Sequence, residues 1–454
     1  MNSTEDLIKG TSRGLSKSEL GAISFFVAGM AVFLNQSMIA GGFNISLADV
    51  LLVGLLVLLL VTSRLYLMRY ALLFFAVLVA IAASATIWLT PAVFGVAPEP
   101  RAVFGDMAKL AISFLYFTVG VSVARLQLQS LALKWFAVGA TFIAAVGIVM
   151  EISGVRMMED TLYYGELRYR GLMSDPNFYA LLACSAFAYF AYTSRFSLIL
   201  RIAALTVLAL SVIFSGSKTG LVTLLVLAVI VLITRAARSK TVVFPALLVA
   251  LAVAGVALVI ASWGALVAAV DRLSADIPQL ERVSTLLSGD LSAVLSGSGS
   301  GRETVWNTGL QIIDSSPVIG VGFGVYSEVG QAFFGQADVA HNTYIQLAAE
   351  WGLVLALCLF AWIATLLVRA STGGNTGRYP EEFFILREII IVFMIGSLSL
   401  SLNNARMMWF FLGVLAFMCH YRAKVQSRER QKEAGSTTPL VRVGAPGPSA
   451  SEYT

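Results

Sequence analysis

Long apolar runs recur along this chain, and they constrain its fold more than any other feature. Runs of roughly 17–25 apolar residues are long enough to cross about 30 Å of hydrocarbon as helices, and the chain holds about twelve of them. They lie near residues 20–40, 46–62, 71–90, 103–124, 131–153, 177–193, 198–214, 219–234, 242–262, 345–368, 385–402 and 405–421. Glycine and serine inside the runs favour close helix packing in lipid. The runs predict an all-α polytopic membrane protein.

The composition excludes an ordinary soluble protein. Hydrophobic residues make up 58% of the chain and charged residues only 13%, and the mean hydropathy is +0.83. This is too little charge to cover a soluble surface. The net charge of +5 follows from lysine and arginine near helix ends and does not indicate nucleic-acid binding. The three cysteines lie in apolar runs at unrelated spacings, which suggests neither a disulfide nor a metal site.

Lysine and arginine alternate between the two sides of successive runs, as a single cytoplasmic face requires. One set of connections carries Lys9, Arg13, Lys17, Arg64, Arg69, Arg125, Lys134, Arg195, Arg201, Arg235, Arg238, Lys240, Arg369, Arg378 and Arg422 to Lys432. The pattern predicts a cytoplasmic N-terminus at 1–19, nine spans in 20–262 and three more in 345–422. A large external loop at 263–344 would separate the ninth and tenth spans. Residues 423–454 are charged and then rich in Gly, Pro and Ser, which predicts a disordered cytoplasmic tail.

Several cations depart from this pattern, because they lie on the external side or inside the runs. These are Arg101, Lys109, Arg156, Arg168, Arg170, Lys218, Arg272, Arg282, Arg302 and Arg406. Ionisable groups at this depth are costly, so a functional role is the default hypothesis. Guanidinium and ammonium groups together would suit the diphosphate of a membrane lipid. The alternative is that each cation reaches the interface or pairs with an acid such as Asp175 or Glu303. We favour that alternative for Arg101, Arg156, Arg168, Arg272 and Arg282.

His341 lies in the external polar stretch Ser296–Gly352, where the chain returns to the membrane. An imidazole can accept a proton near neutral pH, which an attacking sugar hydroxyl requires. The alternative is an ordinary hydrogen-bonded surface histidine. Glu350 could orient such a base or cap a pocket. Asp49 and Asp106 are better explained as polar helix starts.

Other motifs in the polar stretch are less informative. The turn Gly320-Val321-Gly322-Phe323-Gly324 resembles a nucleotide-binding glycine pattern, but no strand and helix of a parallel sheet flank it. Neither a Walker sequence nor an HExxH or paired Asp-x-Asp metal motif occurs on the external face. We therefore expect a metal-independent reaction without a cofactor. Aromatic residues of the stretch, among them Trp306, could stack on sugar rings, whereas Phe323 is expected in the loop's own small core.

The spacing of these residues resembles a known family. The elements are Gly301-Arg302 with Trp306, Ser316-Pro317 with Gly320 and Gly322, His341-Asn342 with Tyr344, and Glu350 with Gly352. Two earlier elements are Arg170-Gly171 with Asp175-Pro176-Asn177, and Ser217-Lys218-Thr219-Gly220. Together they resemble the O-antigen ligase and Wzy-type polysaccharide polymerase superfamily over most of residues 20–422. Lys218 departs from the pattern, because many relatives have arginine there.

The resemblance implies a helical bundle similar to the GT-C class and a glycosyltransferase at the outer, periplasmic face of the bacterial inner membrane. The donor would be a glycan on undecaprenyl diphosphate, and the acceptor a glycan or lipid. Arg302 and Lys218 would hold the diphosphate and stabilise it as the leaving group, and His341 would act as general base or hydrogen-bond the acceptor. Arg170 would support the donor site, and the further substrate-binding residues would be Arg406, Asn342, Trp306 and Glu350.

Three functions stay open at this point. The favoured one is a polymerase that joins lipid-linked repeat units into exopolysaccharide, capsule or O-antigen, with a chain-length regulator and a flippase as partner proteins. The alternative within the family is a ligase that transfers finished glycan to lipid A-core. Outside the family, about twelve spans would suit a transporter or flippase, although the chain has no clear similarity between its halves.

Overall fold

The computed structural model describes residues 15–40, 43–155, 157–165, 168–238, 302–373 and 380–436, together with residues 268, 270 and 272. Helices dominate these residues. In chain order they are α1 Lys17–Phe33, α2 Leu47–Val61, α3 Arg69–Ser84, α4 Thr90–Phe94, α5 Pro100–Arg125, α6 Gln129–Ser153, α7 Glu159–Leu162, α8 Pro176–Tyr192, α9 Leu198–Phe214, α10 Lys218–Arg238, α11 Arg302–Ser315, α12 Tyr326–Phe334, α13 Thr343–Gly373, α14 Pro380–Gly396 and α15 Arg406–Ser436. A π-helical turn, Ala85–Leu89, joins α3 to α4.

The prediction of an all-α membrane protein agrees with this architecture. Five described helices are long and apolar enough to cross a membrane, namely Arg69–Phe94, Pro100–Arg125, Gln129–Ser153, Lys218–Arg238 and Thr343–Thr372. Leu47–Val61 and Leu198–Phe214 are apolar but shorter. The run predicted at 242–262 lies outside the described residues, and the total of about twelve spans stays a prediction.

The C-terminal boundaries of two predicted runs are wrong. The run predicted at 20–40 ends as a helix at Phe33, and two short antiparallel strands follow, β1 Met38–Ala40 and β2 Phe43–Ile45. The run predicted at 385–402 ends as a helix at Gly396, and residues 397–402 form a turn. Polar Asn, Gln and Ser residues follow these helix ends, and such side chains compete with the helix for backbone hydrogen bonds.

The start of the predicted tail also differs. Residues 423–436 continue α15 rather than beginning a disordered segment. Their sequence is rich in Lys, Arg, Glu, Gln and Ala, which are strong helix formers, and an existing helix extends without a new nucleation cost. Residues 437–454 lie outside the described part of the chain.

The described part of the predicted external loop is structured. It contains α11 and α12, with residues 316–325 between them. A small apolar core forms here, made of Phe94, Ile312, Val321, Val325, Tyr326, Val329, Ala340 and Ala349. Phe323 is 2% exposed and is a core residue as expected, but it joins the main core of the bundle rather than this small one.

Helix α13 is broken at Gly352, where φ is +79° and ψ is 158°. In a continuous helix, the Leu353 N–H would donate to Ala349 O. Here that N–H donates to Pro317 O at 2.8 Å, while the Val321 N–H donates to Ala349 O at 2.9 Å. The N–H of residue 322 donates to the carbonyl of residue 350 in the same way, also at 2.9 Å. Residues 317–322 therefore replace the helical hydrogen bonds that the break removes.

The glycine turn, residues 320–324, also binds the π-helical turn and the start of α4. The Thr86 hydroxyl accepts from the Phe323 N–H at 2.7 Å, and the Thr90 hydroxyl donates to Val321 O at 2.6 Å. A Cβ on Gly322 would overlap the Thr86 hydroxyl, so this approach requires glycine. The glycine turn, which in sequence resembles a nucleotide-binding pattern, joins two interrupted helical segments of the bundle.

Described contacts sort the helix ends into two groups. One group, which we call the His341 end, contains the starts of α2, α8, α10, α13 and α15. Hydrogen bonds join these helix starts to one another or to the turns beside them. The other, which we call the arginine end, includes Arg195 paired with Glu382 of α14 at 3.2 Å, and Arg422 donating to Thr372 O at 3.2 Å. This grouping fits the predicted alternation of positive charge along the chain.

The break in α13 generates a stability prediction. Gly352→Ala should lower the free energy of unfolding by about 3 kcal/mol, because an L-residue is strained at this φ and its Cβ would overlap the Val318 carbonyl oxygen. The matched control is Gly105→Ala, since an added Cβ on Gly105 of α5 meets nothing within 4 Å. Thermal unfolding of the purified protein in detergent measures both. Equal unfolding midpoints for the two variants would contradict the role assigned to the break.

Candidate functional site

The start of α13, directly after His341, is anchored to the turn at 397–402. The Thr343 N–H donates to Ser397 O at 2.8 Å, and the Thr343 hydroxyl donates to Leu400 O at 2.7 Å. The same hydroxyl accepts from the Leu402 N–H at 2.8 Å. The Thr343 side chain is buried, so these contacts are shielded from solvent. The helix start therefore has a fixed position relative to this turn.

Asn342 caps α13. Its Oδ1 accepts from the N–H groups of Tyr344 and Ile345 at 3.0 and 3.2 Å, and its Nδ2 donates to Leu398 O at 3.2 Å. This is the usual hydrogen bonding of an asparagine N-cap. Asn342, which is predicted to bind substrate, is thus buried, and its side chain holds the start of α13 in place.

His341 lies directly before this cap, with an exposed side chain and a φ of +47°. Histidine is one of the residues enriched in this left-handed region, which strains most others. Within the described ranges, no group hydrogen-bonds the imidazole. A fixed backbone therefore presents an imidazole whose ring nitrogens are not engaged by any described group.

Lys218 begins α10, and its neighbour reaches the same turn. The Thr219 and Ser399 hydroxyls form a hydrogen bond of 2.7 Å. The Ser217 hydroxyl accepts from the Gly220 N–H at 3.0 Å and so holds the first turn of the helix. The turn at 397–402 therefore brings together the segments that carry Lys218 and His341, which are far apart in the sequence.

Arg406 begins α15 just after this turn and is paired with an acid. Its Nε and Nη2 contact the two carboxylate oxygens of Asp49, each at 2.7 Å. The Tyr116 hydroxyl donates to the same carboxylate at 2.8 Å, and Asp49 also completes a capping box with Ser46. Asp49 is the helix-start residue that the sequence indicated. Arg406, expected to bind substrate, joins α15 to α2.

Arg170 is engaged by the backbone of its own loop. Its Nε donates to Thr161 O at 3.1 Å, Nη1 to Ser174 O at 3.2 Å, and Nη2 to Asp160 O at 2.6 Å. These bonds brace the loop that leads into α8. Arg170, which is predicted to support the donor site, therefore also holds this loop together.

Asp175, a possible ion-pair partner for a stray arginine by sequence, caps α8 instead. Its Oδ1 accepts from the N–H groups of Asn177 and Phe178 at 2.7 and 3.0 Å. Two orphan donors at the helix start are thereby satisfied. The Asp-Pro-Asn element is thus a helix start, with Pro176 at the first helical position.

Arg168 has a more central place than the sequence suggested. It lies on β4, Arg168–Tyr169, which pairs with β3, Tyr163–Tyr164. Its Nε donates to Ser215 O at 3.0 Å, and its Nη2 donates to Asn177 at 2.9 Å. It thus ties the loop before α8 to the turn before Lys218. The sequence favours a cation that reaches the interface or pairs with an acid here, and no local motif signals the contact with Ser215.

Arg302 and Trp306 belong to α11, which packs against α13. Gly309 of α11 lies directly against Ile345 of α13. The side chain of Arg302 lies outside the described part of the structure, as do Arg156 and Arg282. Trp306 is half-buried, and its indole N–H lacks an acceptor among the groups that the structure describes.

Glu350 is buried in α13, next to the break. Its Oε1 accepts from the Gln346 side-chain amide at 2.8 Å, and only 4% of the residue is exposed. Asp106 lies nearby on α5, where it accepts from the Gly324 N–H at 2.9 Å and pairs with Lys109 at 2.8 Å. Asp106 lies inside α5 and anchors the glycine turn. The prediction that Asp106 begins a helix is therefore wrong. No described contact joins Glu350 to the imidazole.

Tyr344 of the His341 motif serves packing. Its hydroxyl donates to Met394 O at 2.8 Å, and its ring centre lies 4.6 Å from that of Phe360. It is thus occupied within the bundle. For metals, the described residues contain no group of three or more His, Cys, Asp or Glu side chains that could hold an ion.

The comparisons with known proteins add one match. Residues 202–360 match a protein-family model described as O-Antigen ligase, and a search of curated proteins found no match. The matched range includes Lys218, Arg302 and His341, and it ends just beyond the break at Gly352. These residues belong to the segments on which the resemblance to the superfamily is based. The match supports, over residues 202–360, the resemblance to the O-antigen ligase and Wzy-type polysaccharide polymerase superfamily.

Proposed function

We propose that this protein is a glycosyltransferase that polymerises oligosaccharide repeat units carried on a polyprenyl diphosphate. The family indicates a function of the O-antigen ligase or polymerase type in a multi-pass membrane protein. The product would be a surface polysaccharide such as exopolysaccharide, capsule or O-antigen. The donor carrier would be undecaprenyl diphosphate.

One observation carries the proposal. The segments of Lys218 and His341 meet at the turn 397–402, through Thr219 on one side and Thr343 on the other. A cation and an exposed imidazole held near one turn are what a transfer from a diphosphate carrier requires. Both residues lie inside the range that matches the family.

In the proposed reaction, His341 is the general base. It accepts the proton of an acceptor sugar hydroxyl, whose oxygen forms a bond to the anomeric carbon of the donor glycan. The bond between that carbon and the diphosphate oxygen breaks, and the diphosphate leaves with the electron pair. No oxidant, reductant or other co-reactant is needed to balance the step.

Arg302 and Lys218 would hold the leaving diphosphate. The developing negative charge on its oxygens is stabilised by cations, so we propose a metal-independent reaction. Arginine at 302 can bind two phosphate oxygens with its fork, whereas lysine at 218 supplies only a point charge. Charge at Lys218 is therefore expected to matter more than its geometry.

The remaining expected site residues would act in other ways. Arg170, Arg406 and Asn342 would position the site through the segments that they hold. The Trp306 ring, which is half-buried, would stack on a sugar. Glu350 would support the break in α13 from its buried position.

The proposed location is the bacterial inner membrane, with both chain termini in the cytoplasm. The arginine end would then face the cytoplasm, and the His341 end the periplasm. That orientation would put the acceptor, the donor glycan and the imidazole on the same side of the membrane. A chain-length regulator and a flippase would be partner proteins in the same process.

A ligase is the second candidate function, because the family match fits it equally well. A ligase would transfer finished glycan to lipid A-core. Deleting a polymerase should leave single repeat units attached to the acceptor. Deleting a ligase should abolish attachment and leave the polymer on its carrier. A transporter would move the lipid-linked glycan without releasing the diphosphate.

His341→Asn is the sharpest test of the general base. Asparagine also tolerates the left-handed φ of this position, so the fold should persist while the base is lost. We expect transfer to fall by about 100-fold or more. The assay is glycan transfer in membranes that contain equal amounts of each variant.

The control for His341→Asn is a change at an exposed position outside the candidate site, Arg69→Gln on α3, which should keep parental activity. Parental transfer by His341→Asn would overturn the role of the imidazole. His341→Ala is less informative, because alanine adds backbone strain at this φ.

Arg302→Lys tests the bidentate contact to the diphosphate. Lysine keeps the charge but loses the fork, so we expect a fall in transfer of about tenfold, and a larger fall for Arg302→Ala. Transfer rates at saturating donor, compared with rates at limiting donor, separate binding from chemistry. Equal activity of Arg302→Ala and the parent would remove Arg302 from the site.

A further inference from the structure

A group of arginines at the arginine end is not used by the proposed reaction. Arg201, at the start of α9, donates from Nε to Phe190 O at 3.1 Å and from Nη2 to Ala191 O at 3.3 Å. Arg235, near the end of α10, donates from Nη2 to the same Ala191 oxygen. Two guanidinium groups that share one acceptor must lie close together. Both cap the C-terminus of α8, which favours cations.

A third arginine extends this group. Arg238 follows Arg235 by three residues and so lies on the same face of α10. Its Cζ is 4.7 Å from the centre of the Phe384 ring of α14. We call Arg201, Arg235 and Arg238 the arginine cluster. Each side chain has five N–H donors, and the bonds to α8 use two from Arg201 and one from Arg235.

No carboxylate of the described residues pairs with the arginine cluster. The sequence has no Asp or Glu between Pro176 and Val270, so α8, α9 and α10 cannot supply one. Glu382 of α14 pairs with Arg195 at 3.2 Å and accepts from the Ser130 hydroxyl at 2.6 Å.

The other acids of α14 are engaged too. Glu388 is fully buried, contacts Arg387 and accepts from the Tyr192 hydroxyl at 2.9 Å. Glu381 accepts from the Ser194 N–H at 3.2 Å. The cluster therefore concentrates positive charge that the described protein groups do not balance, and an anion would relieve the repulsion between its members.

The surroundings of the cluster indicate which anion it takes. Large apolar side chains lie exposed within about a turn of the arginines. They are Leu198, Ile199 and Ile202 on α9, and Leu232 and Ile233 on α10, with exposed fractions of 67, 82, 54, 45 and 62%. Side chains of this kind suit acyl chains, and basic groups between membrane helices suit anionic headgroups. A soluble phosphate would gain nothing from the apolar side chains.

We propose that the arginine cluster binds the headgroup of an anionic phospholipid, whose acyl chains lie against the exposed apolar residues of α9 and α10. The phosphate lies between Arg201 and Arg235, and Arg238 holds its outer edge. The lipid thereby links the end of α8 to α9 and α10. This site is at the opposite end of the bundle from His341 and does not rest on the proposed function.

The test measures how much lipid stays bound to the full-length protein. The purified protein is equilibrated with phosphatidylglycerol or with phosphatidylcholine, and the retained lipid is quantified by native mass spectrometry. The test variant is Arg201→Gln with Arg235→Gln. The control is Arg125→Gln with Lys134→Gln, which removes the same charge at ring-stacked cations elsewhere.

We expect the test variant to retain phosphatidylglycerol roughly 30-fold more weakly than the parent, with the control and the phosphatidylcholine values unchanged. Equal phosphatidylglycerol retention by test variant and parent would overturn the proposal and leave the arginines as helix caps only. Displacement of the bound lipid by millimolar glycerol phosphate would overturn the lipid assignment, because a soluble phosphate would then suffice.

A second variant keeps the test valid if the glutamine pair unfolds. Arg201→Lys with Arg235→Lys preserves both charges but loses the guanidinium forks. We expect this variant to retain phosphatidylglycerol at a level between those of the parent and the glutamine pair. Thermal unfolding in phosphatidylcholine verifies that each variant is folded. If the folded double-lysine variant retained as much phosphatidylglycerol as the parent, the guanidinium geometry would not matter, and the proposed site would be contradicted.

Discussion

The backbone break at Gly352 is the constraint on which the rest of the His341 end depends. Inside an apolar helix, unpaired N–H and C=O groups are costly, because lipid offers them no partner. Residues 317–322 meet that requirement by bonding the groups that the break leaves open. Phe323 and Val321 of the glycine turn are also bonded to Thr86 and Thr90. One short glycine turn therefore holds the break in α13 and the π-helical turn after α3 together.

The break fixes the helix half that begins beside His341. At one end of this half, α13 is tied to the glycine turn, and at the other, Thr343 and Asn342 tie it to the turn 397–402. Lys218 joins the same turn through Thr219. The imidazole and the ammonium group are thus carried by segments that are bonded to one common turn, which suits a site that has to position two substrates.

The features that depend on composition and local pattern could be predicted from the sequence, such as the apolar helices and the helix start at Asp49. Contacts between distant segments could not. The sequence predicts substrate-site roles for Arg170, Asn342 and Arg406, but it does not indicate their partners within the protein, which are backbone carbonyls, a helix start and a carboxylate. A motif indicates which residues matter, whereas the partner of each side chain depends on tertiary packing. For this reason the sequence does not predict the hydrogen bond from Arg168 to Ser215 O in the turn before Lys218.

The two ends of the bundle have different chemistry. Polar turns, broken helices and His341 occupy one end, and arginines beside apolar side chains occupy the other. Release of polyprenyl diphosphate tests the central claim most directly. The purified protein in detergent is given an authentic lipid-linked repeat unit, and the freed carrier diphosphate and the glycan length are both measured. We predict carrier diphosphate release together with lengthening glycan. Intact lipid-linked substrate after prolonged incubation would contradict a glycan transfer and favour a transporter.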